Sequence, residues 1–153
     1  MTILVYAFLI GIIAGLRALM APAIVSWGAG LGWFSLAGTP LNFMSHVATR
    51  WIFTVLELGE LVNDKLPKTA SRKVPPQFIA RVVMGALAGA TLGAAHDSLV
   101  GGLIAGAIGA VVGTLGGSSV RATLAKAFGK DLPAALLEDA VALLGALFIV
   151  SRV

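Results

Sequence analysis

The chain has 153 residues, 58% of them hydrophobic and 12% charged, with a mean hydropathy of +0.97. A soluble domain carries about 25% charged residues, so half that fraction, with long uncharged runs, excludes an ordinary water-soluble fold. The net charge of +4 comes mostly from two short basic segments and cysteine is absent, which leaves no disulfide framework or thiol chemistry and makes the charge a membrane-topology signal, not a nucleic-acid footprint.

A spanning helix needs about 20 mostly apolar residues, and five candidate spans appear along one domain, 1–153. The first runs from about Thr2 to Trp27. Its ALMAPA stretch superficially suggests a cleavage site, but a Lys/Arg-rich n-region is missing, so a retained span is expected. Arg17 lies inside it and Pro22 can break or kink it. Gly28 to Asn42 follows, rich in glycine, with Trp27, Trp33, Phe34 and Pro40. This reads as a loop with interfacial aromatics or a short re-entrant piece. The fold expected is therefore all-α and membrane-integral, with about five transmembrane helices and a first segment, 1–42, that is one span or two half-helices.

The second span, about Phe43 to Asn63, carries His46, Arg50, Glu57 and Glu60, with Asp64 at its end. On a continuous helix these five fall within an arc of roughly 80°. Phe43, Val47, Trp51, Ile52, Phe53, Val55, Leu56 and Leu58 surround them and suit lipid or a packed interior. Charge in a spanning helix is costly and points to function by default. Residues 64–76 (DKLPKTASRKVPP) are the most polar stretch and read as a proline-punctuated loop.

The third span, about Gln77 to Ala95, is joined by a His96-Asp97-Ser98 turn to the fourth, about Leu99 to Val120. Arg121 to Asp131 reads as a basic linker or short amphipathic helix. Pro133 suits the first turn of the fifth span, about Ala134 to Ser151. Lys65, Lys68, Arg72 and Lys73 follow the second span; Arg121, Lys126 and Lys130 follow the fourth. Five crossings put both basic segments on one side, with the N-terminus also cytoplasmic and Arg152 outside.

In that arrangement Glu57, Glu60, Arg81, Arg121, Glu138 and Asp139 fall toward the cytoplasmic half, and Arg17, His46 and Arg50 toward the outer half. Acids and arginines at one depth can neutralise each other in pairs. Two readings follow: a structural ion-pair layer, or a polar cavity open to the cytoplasm in which Glu57 or Glu60 binds a proton, a cation or a headgroup amine.

Gly85, Gly89 and Gly93 are spaced by four, as are Gly102 and Gly106, and Gly109, Gly113 and Gly117. Gly11 and Gly15 repeat the spacing. Small residues at this interval let helices approach closely in lipid, so spans three and four should form a tight hairpin; a glycine-zipper oligomer around a pore is the alternative. A weak internal similarity links Leu16–Leu19 to Val120–Leu124 and Leu56–Leu61 to Leu137–Val141, the pattern of a transporter repeat.

His96, Asp97 and Ser98 are the residue types of a hydrolase triad, but three consecutive residues in a turn do not form that relay. Glu57, Glu60 and Asp64 could face a divalent cation, yet no histidine lies nearby, and no metal site or cofactor is expected. P-loop, dinucleotide and HExxH motifs are absent. Lys65, Lys68, Arg72 and Lys73 could hold anionic lipid headgroups, or serve orientation alone.

GLRALMAPAIVSW at 15–27, TPLNF at 39–43, ELGELVNDKLPKTASR at 57–72, an arginine-bearing span and DLPAALLEDAVAL at 131–143 together resemble a bacterial membrane family, domain-of-unknown-function family 4126. DKLPKTASR is the most specific element and the likeness covers nearly the whole chain. It implies a small multi-span inner-membrane protein and transfers no catalytic or ligand residue. The function expected is that of a transporter or channel-like protein for a small ion or polar solute, not an enzyme. Its path would be lined by the span-two stripe with Arg17, Arg81, Arg121, Glu138 and Asp139. The alternative is a non-transporting scaffold that organises lipid. Membrane lipids and a second copy of the chain, as a homodimer, are the expected partners, with no nucleic acid.

Overall fold

A computed structural model describes the backbone of residues 2–64 and 75–153; the side chains of Thr2, Asn63, Asp64 and Asp131 lie outside that description. Among the described residues there are six α-helices and no strands: α1 (Thr2–Leu16), α2 (Met20–Gly30), α3 (Val47–Asp64), α4 (Pro75–Ala94), α5 (Leu99–Phe128) and α6 (Asp131–Arg152). A single 3-10 turn, Asn42–Ser45, precedes α3. Three helices, α4, α5 and α6 from Leu132, are long and apolar enough to cross a membrane. α3 has 18 residues, but its charges set it apart from those three.

The helix limits follow from local chemistry. Pro75 and Pro76 open α4, where a missing N–H costs no intrahelical bond. Pro133 stands in the first turn of α6. Gly129 ends α5 with φ of 74°, the left-handed conformation glycine adopts without penalty. The basic stretch after Val120 is not a linker: α5 continues through Arg121 and Lys126 to Phe128. Ala122, Leu124, Ala125, Lys126 and Ala127 are good helix formers, and nothing in them stops the helix. At 30 residues, α5 is about 45 Å long, half as long again as a hydrocarbon core of about 30 Å.

The first segment is not one span. α1 stops at Leu16 and α2 starts at Met20, so the break falls at Arg17–Leu19 and not at Pro22. Pro22 sits in the first turn of α2, where proline is tolerated.

Glycine faces set the helix directions. A Cβ on Gly106 would run into the carbonyl of Gly85, and one on Gly11 into the carbonyl of Gly106. Gly89 lies on Gly102 and Gly106, Gly93 on Ser98 and Gly102, Gly109 on Phe8, and Gly113 on Ile12. α4 therefore runs antiparallel to α5, as expected of a tight hairpin, while α1 runs parallel to α5. These glycines pack helix on helix within one chain. Gly117 is half-buried.

The directions define two ends. The turn end carries the 95–98 turn, and the loop end is where α3 stops and α4 starts. α1 begins at the turn end, where Leu4 packs on Gly101, and descends to Arg17. α2 returns toward the turn end, where Gly28 lies on Val150 near the end of α6. The start of α1 thus lies at the turn end, beside the C-terminus of α6, while α5 carries Arg121 and Lys126 toward the other end.

The core is mainly alanine, isoleucine and methionine from α1 and α2, with Ala88 and Leu92 of α4 and Ala142, Ala146, Ile149 and Val150 of α6. Residues 31–46 cover it at the turn end, burying Phe34, Leu36 and Met44. Gly32 and Gly38 hold φ of 85° and 78° there, positions strained for a residue with a side chain. This segment is a folded cap: Gly28 to Gly30 belong to α2, and Phe34 is buried in the core and not at an interface. The suggested repeat finds no symmetry: its first pairing joins the parallel helices α1 and α5, its second joins the oppositely directed α3 and α6.

Candidate functional site

The charged residues converge on the break between α1 and α2. A helix end leaves backbone N–H or C=O groups without intrahelical partners. Here two side chains from other helices supply them. The Glu60 carboxylate of α3 accepts hydrogen bonds from the backbone N–H of Ala18, at 3.0 Å, and of Leu19, at 2.9 Å. Arg81 of α4 donates to the carbonyl of Gly15 at 3.0 Å. An acid at the start of α2 and a base at the end of α1 match the sign of each helix dipole. The two clamps also meet, with Arg81 Nη2 3.6 Å from Glu60 Oε1.

Arg17 occupies the break itself and is fully buried. Its guanidinium donates to Asp139 of α6 through Nε and Nη2. Arg121 of α5 lies 3.7 Å from Glu138 of α6. These contacts tie α1, α3, α4, α5 and α6 into one polar layer. It lies about 20 Å along α3, α4 and α6 from the turn end, at a rise of 1.5 Å per residue.

Glu57 is the exception. Only 7% of it is exposed, and neither carboxylate oxygen has a hydrogen-bond partner. It stands one turn before Glu60 on the same face of α3, where the charges of Glu60, Arg17 and Asp139 act on it. Among the described residues the layer holds three arginines (Arg17, Arg81, Arg121) against four acids (Glu57, Glu60, Glu138, Asp139).

The anticipated stripe divides. His46 is not on α3: it is exposed, with extended backbone, and its Nδ1 accepts the N–H of Ala48 at 3.3 Å. A histidine that caps a helix start has no place in the buried layer. Arg50 lies two turns from Glu57 toward the turn end. It stacks over Trp27 at 5.0 Å, while the Trp27 indole donates to Thr54 and meets Trp51 edge-on. That is an aromatic–cation contact joining α2 to α3, separate from the acids. Arg17 moves the other way. It was expected in the outer half with His46 and Arg50, and it belongs with Glu57, Glu60, Arg81, Arg121, Glu138 and Asp139, because α1 descends from the turn end and stops there. The Asp64 side chain and Lys65, Lys68, Arg72 and Lys73 lie outside the described residues.

Two features escaped the sequence reading. One is the use of Glu60 and Arg81 as caps for a helix in another part of the chain, for which no local signal exists. The other is the position of the break, which did have one. Proline is tolerated in the first turn of a helix and not in its interior, so Pro22 could have placed a helix start just upstream, beside Arg17.

Fold and site together define a class: a helical bundle with three helices of membrane-spanning length and hydropathy, whose charges gather at an interrupted first segment. No family model, no curated protein and no solved structure matches this chain.

Proposed function

We propose that this is a multi-pass inner-membrane protein that moves a small ion or polar solute, with the layer around Glu57 as its functional centre. The carrying observation is the buried, unpartnered Glu57 beside an interrupted helix. An isolated buried carboxylate is costly, and proteins that bind ions within the bilayer use broken helices for this purpose, since half-helix ends present unpaired backbone groups. Here those ends are held by Glu60 and Arg81, so a change of charge at Glu57 acts directly on the group that clamps α2. The positive-inside rule favours a cytoplasmic loop end, an orientation in which the layer is nearer the cytoplasmic face.

The scaffold reading has its own support: Arg17–Asp139, Arg81–Glu60 and Arg121–Glu138 bind five helices together. The two readings part on flux. Purified protein in liposomes, with proton, sodium and potassium gradients imposed in turn, is expected to dissipate at least one of them. Glu57→Gln or Glu60→Gln is expected to lower that flux by at least tenfold while the protein still elutes as a folded species. Wild-type flux in both variants, or no flux from the wild type under any gradient, overturns transport and leaves the scaffold.

A further inference from the structure

We infer that the carboxylate of Glu57 is a binding site for one small monovalent cation, a proton or an alkali ion, in the layer beneath the α1–α2 break. The inference rests on the transport reading for its purpose, and names the class of ion that reading leaves open.

Burial and the absence of hydrogen-bond partners carry it independently. Glu57 is 7% exposed and both its oxygens lack a hydrogen-bond partner. The charged groups of the described residues that face it are Glu60 from α3, Arg17 from the break, Arg81 from α4, Arg121 from α5, and Glu138 and Asp139 from α6. Divalent ions call for six or more oxygens, commonly from several carboxylates, and no cluster of three metal-ligating side chains exists among the described residues.

The geometry suits either ion. As a proton acceptor, Glu57 takes one proton from water at an Oε atom and becomes an O–H donor. Glu60 stands one turn further along the same face of α3, and its oxygens, each accepting one backbone N–H, retain free lone pairs that an O–H can meet. As an alkali-ion site, the Glu57 and Glu60 oxygens supply two ligands on one side. In both cases occupancy changes the charge beside the carboxylate that holds the start of α2. Loading and unloading are thus coupled to the α1–α2 clamp.

Full-length protein in lipid nanodiscs provides the test, with no gradient and no transport step. Infrared spectra report whether a protonated carboxyl is present, and thermal melts in sodium, potassium or choline chloride at equal ionic strength report alkali-ion binding. A protonated-carboxyl band that Glu57→Gln removes identifies the proton. A melting-temperature rise specific to sodium or potassium that Glu57→Gln removes identifies an alkali ion. Absence of both signals in the wild type, or persistence of the observed one in Glu57→Gln, overturns the inference. Should Glu57→Gln fail to fold, Glu57→Asp takes its place: it is expected to keep the cation response with a shifted band or altered ion preference, and an unmoved response overturns the assignment. Cation binding without liposome flux removes the transport reading and keeps the site. Flux without a cation at Glu57 removes the site alone.

Discussion

Gly106→Leu is expected to yield no folded protein. Gly106 lies at the crossing of three helices: α1 approaches through Gly11, and α4 through Gly85 and Gly89. Overpacking ordinarily costs about 1–3 kcal/mol, because neighbouring side chains can shift. The atoms that a Gly106 side chain would meet are backbone atoms of Gly85 and Gly89, so no rotamer change relieves the clash and whole helices must separate. Total stability is only about 5–15 kcal/mol, and losing this crossing removes much of the packing of α1 and α4 on α5. Gly106→Ala is expected to lower the melting temperature clearly. Gly116→Ala, where an added Cβ meets nothing within 4 Å, should leave it unchanged or raise it slightly through better helix propensity. Size-exclusion profiles and thermal melts in detergent check all three. A Gly106→Leu protein that melts like wild type would mean that α1, α4 and α5 are not packed at this crossing.

Arg17→Leu is expected to destabilise by about 3–5 kcal/mol, the cost of removing one partner from a buried ion pair. The change takes the Arg17 guanidinium away from Asp139, in a layer that already buries Glu57 without a hydrogen-bond partner. Adding Asp139→Leu should recover a large part of that loss, since replacing both members of a buried pair with apolar groups is often neutral or better. A double-mutant cycle of denaturation in mixed micelles measures the coupling. If the double variant is as unstable as the two single losses summed, Arg17 and Asp139 are not partners, and the layer is not organised as described.

The same two residues show what the sequence could and could not reveal. Membrane class, helical content and the α4–α5 hairpin were legible because they depend on run length, apolar composition and glycine spacing, all local properties. The grouping of Glu57, Glu60, Arg81, Arg121, Glu138 and Asp139 was legible too, because distance from a span end converts directly into depth. Arg17 was misplaced because its depth depends on the direction of α1. Direction is fixed by Gly11 and Gly15 packing on α5, a contact between residues nearly a hundred positions apart. His46 was misplaced for a local reason: periodicity assumes an unbroken helix, and the 3-10 turn at Asn42–Ser45 ends one residue before it. The capping roles of Glu60 and Arg81 were invisible, because the groups they satisfy exist only once α1 and α2 separate.

In the proposed transport, Glu57 exchanges ions with water from the loop end while the rest of the layer binds the bundle together. The chain has no cysteine, so a single Glu57→Cys variant can be labelled cleanly. Oriented vesicles would be treated with a small, water-soluble, membrane-impermeant thiol reagent from one side and then the other. Labelling from the loop-end side, with protection from the turn-end side, is the expected result. A cysteine at 57 unreactive from both sides, in a variant that folds like wild type, would show a dry layer and contradict the ion pathway.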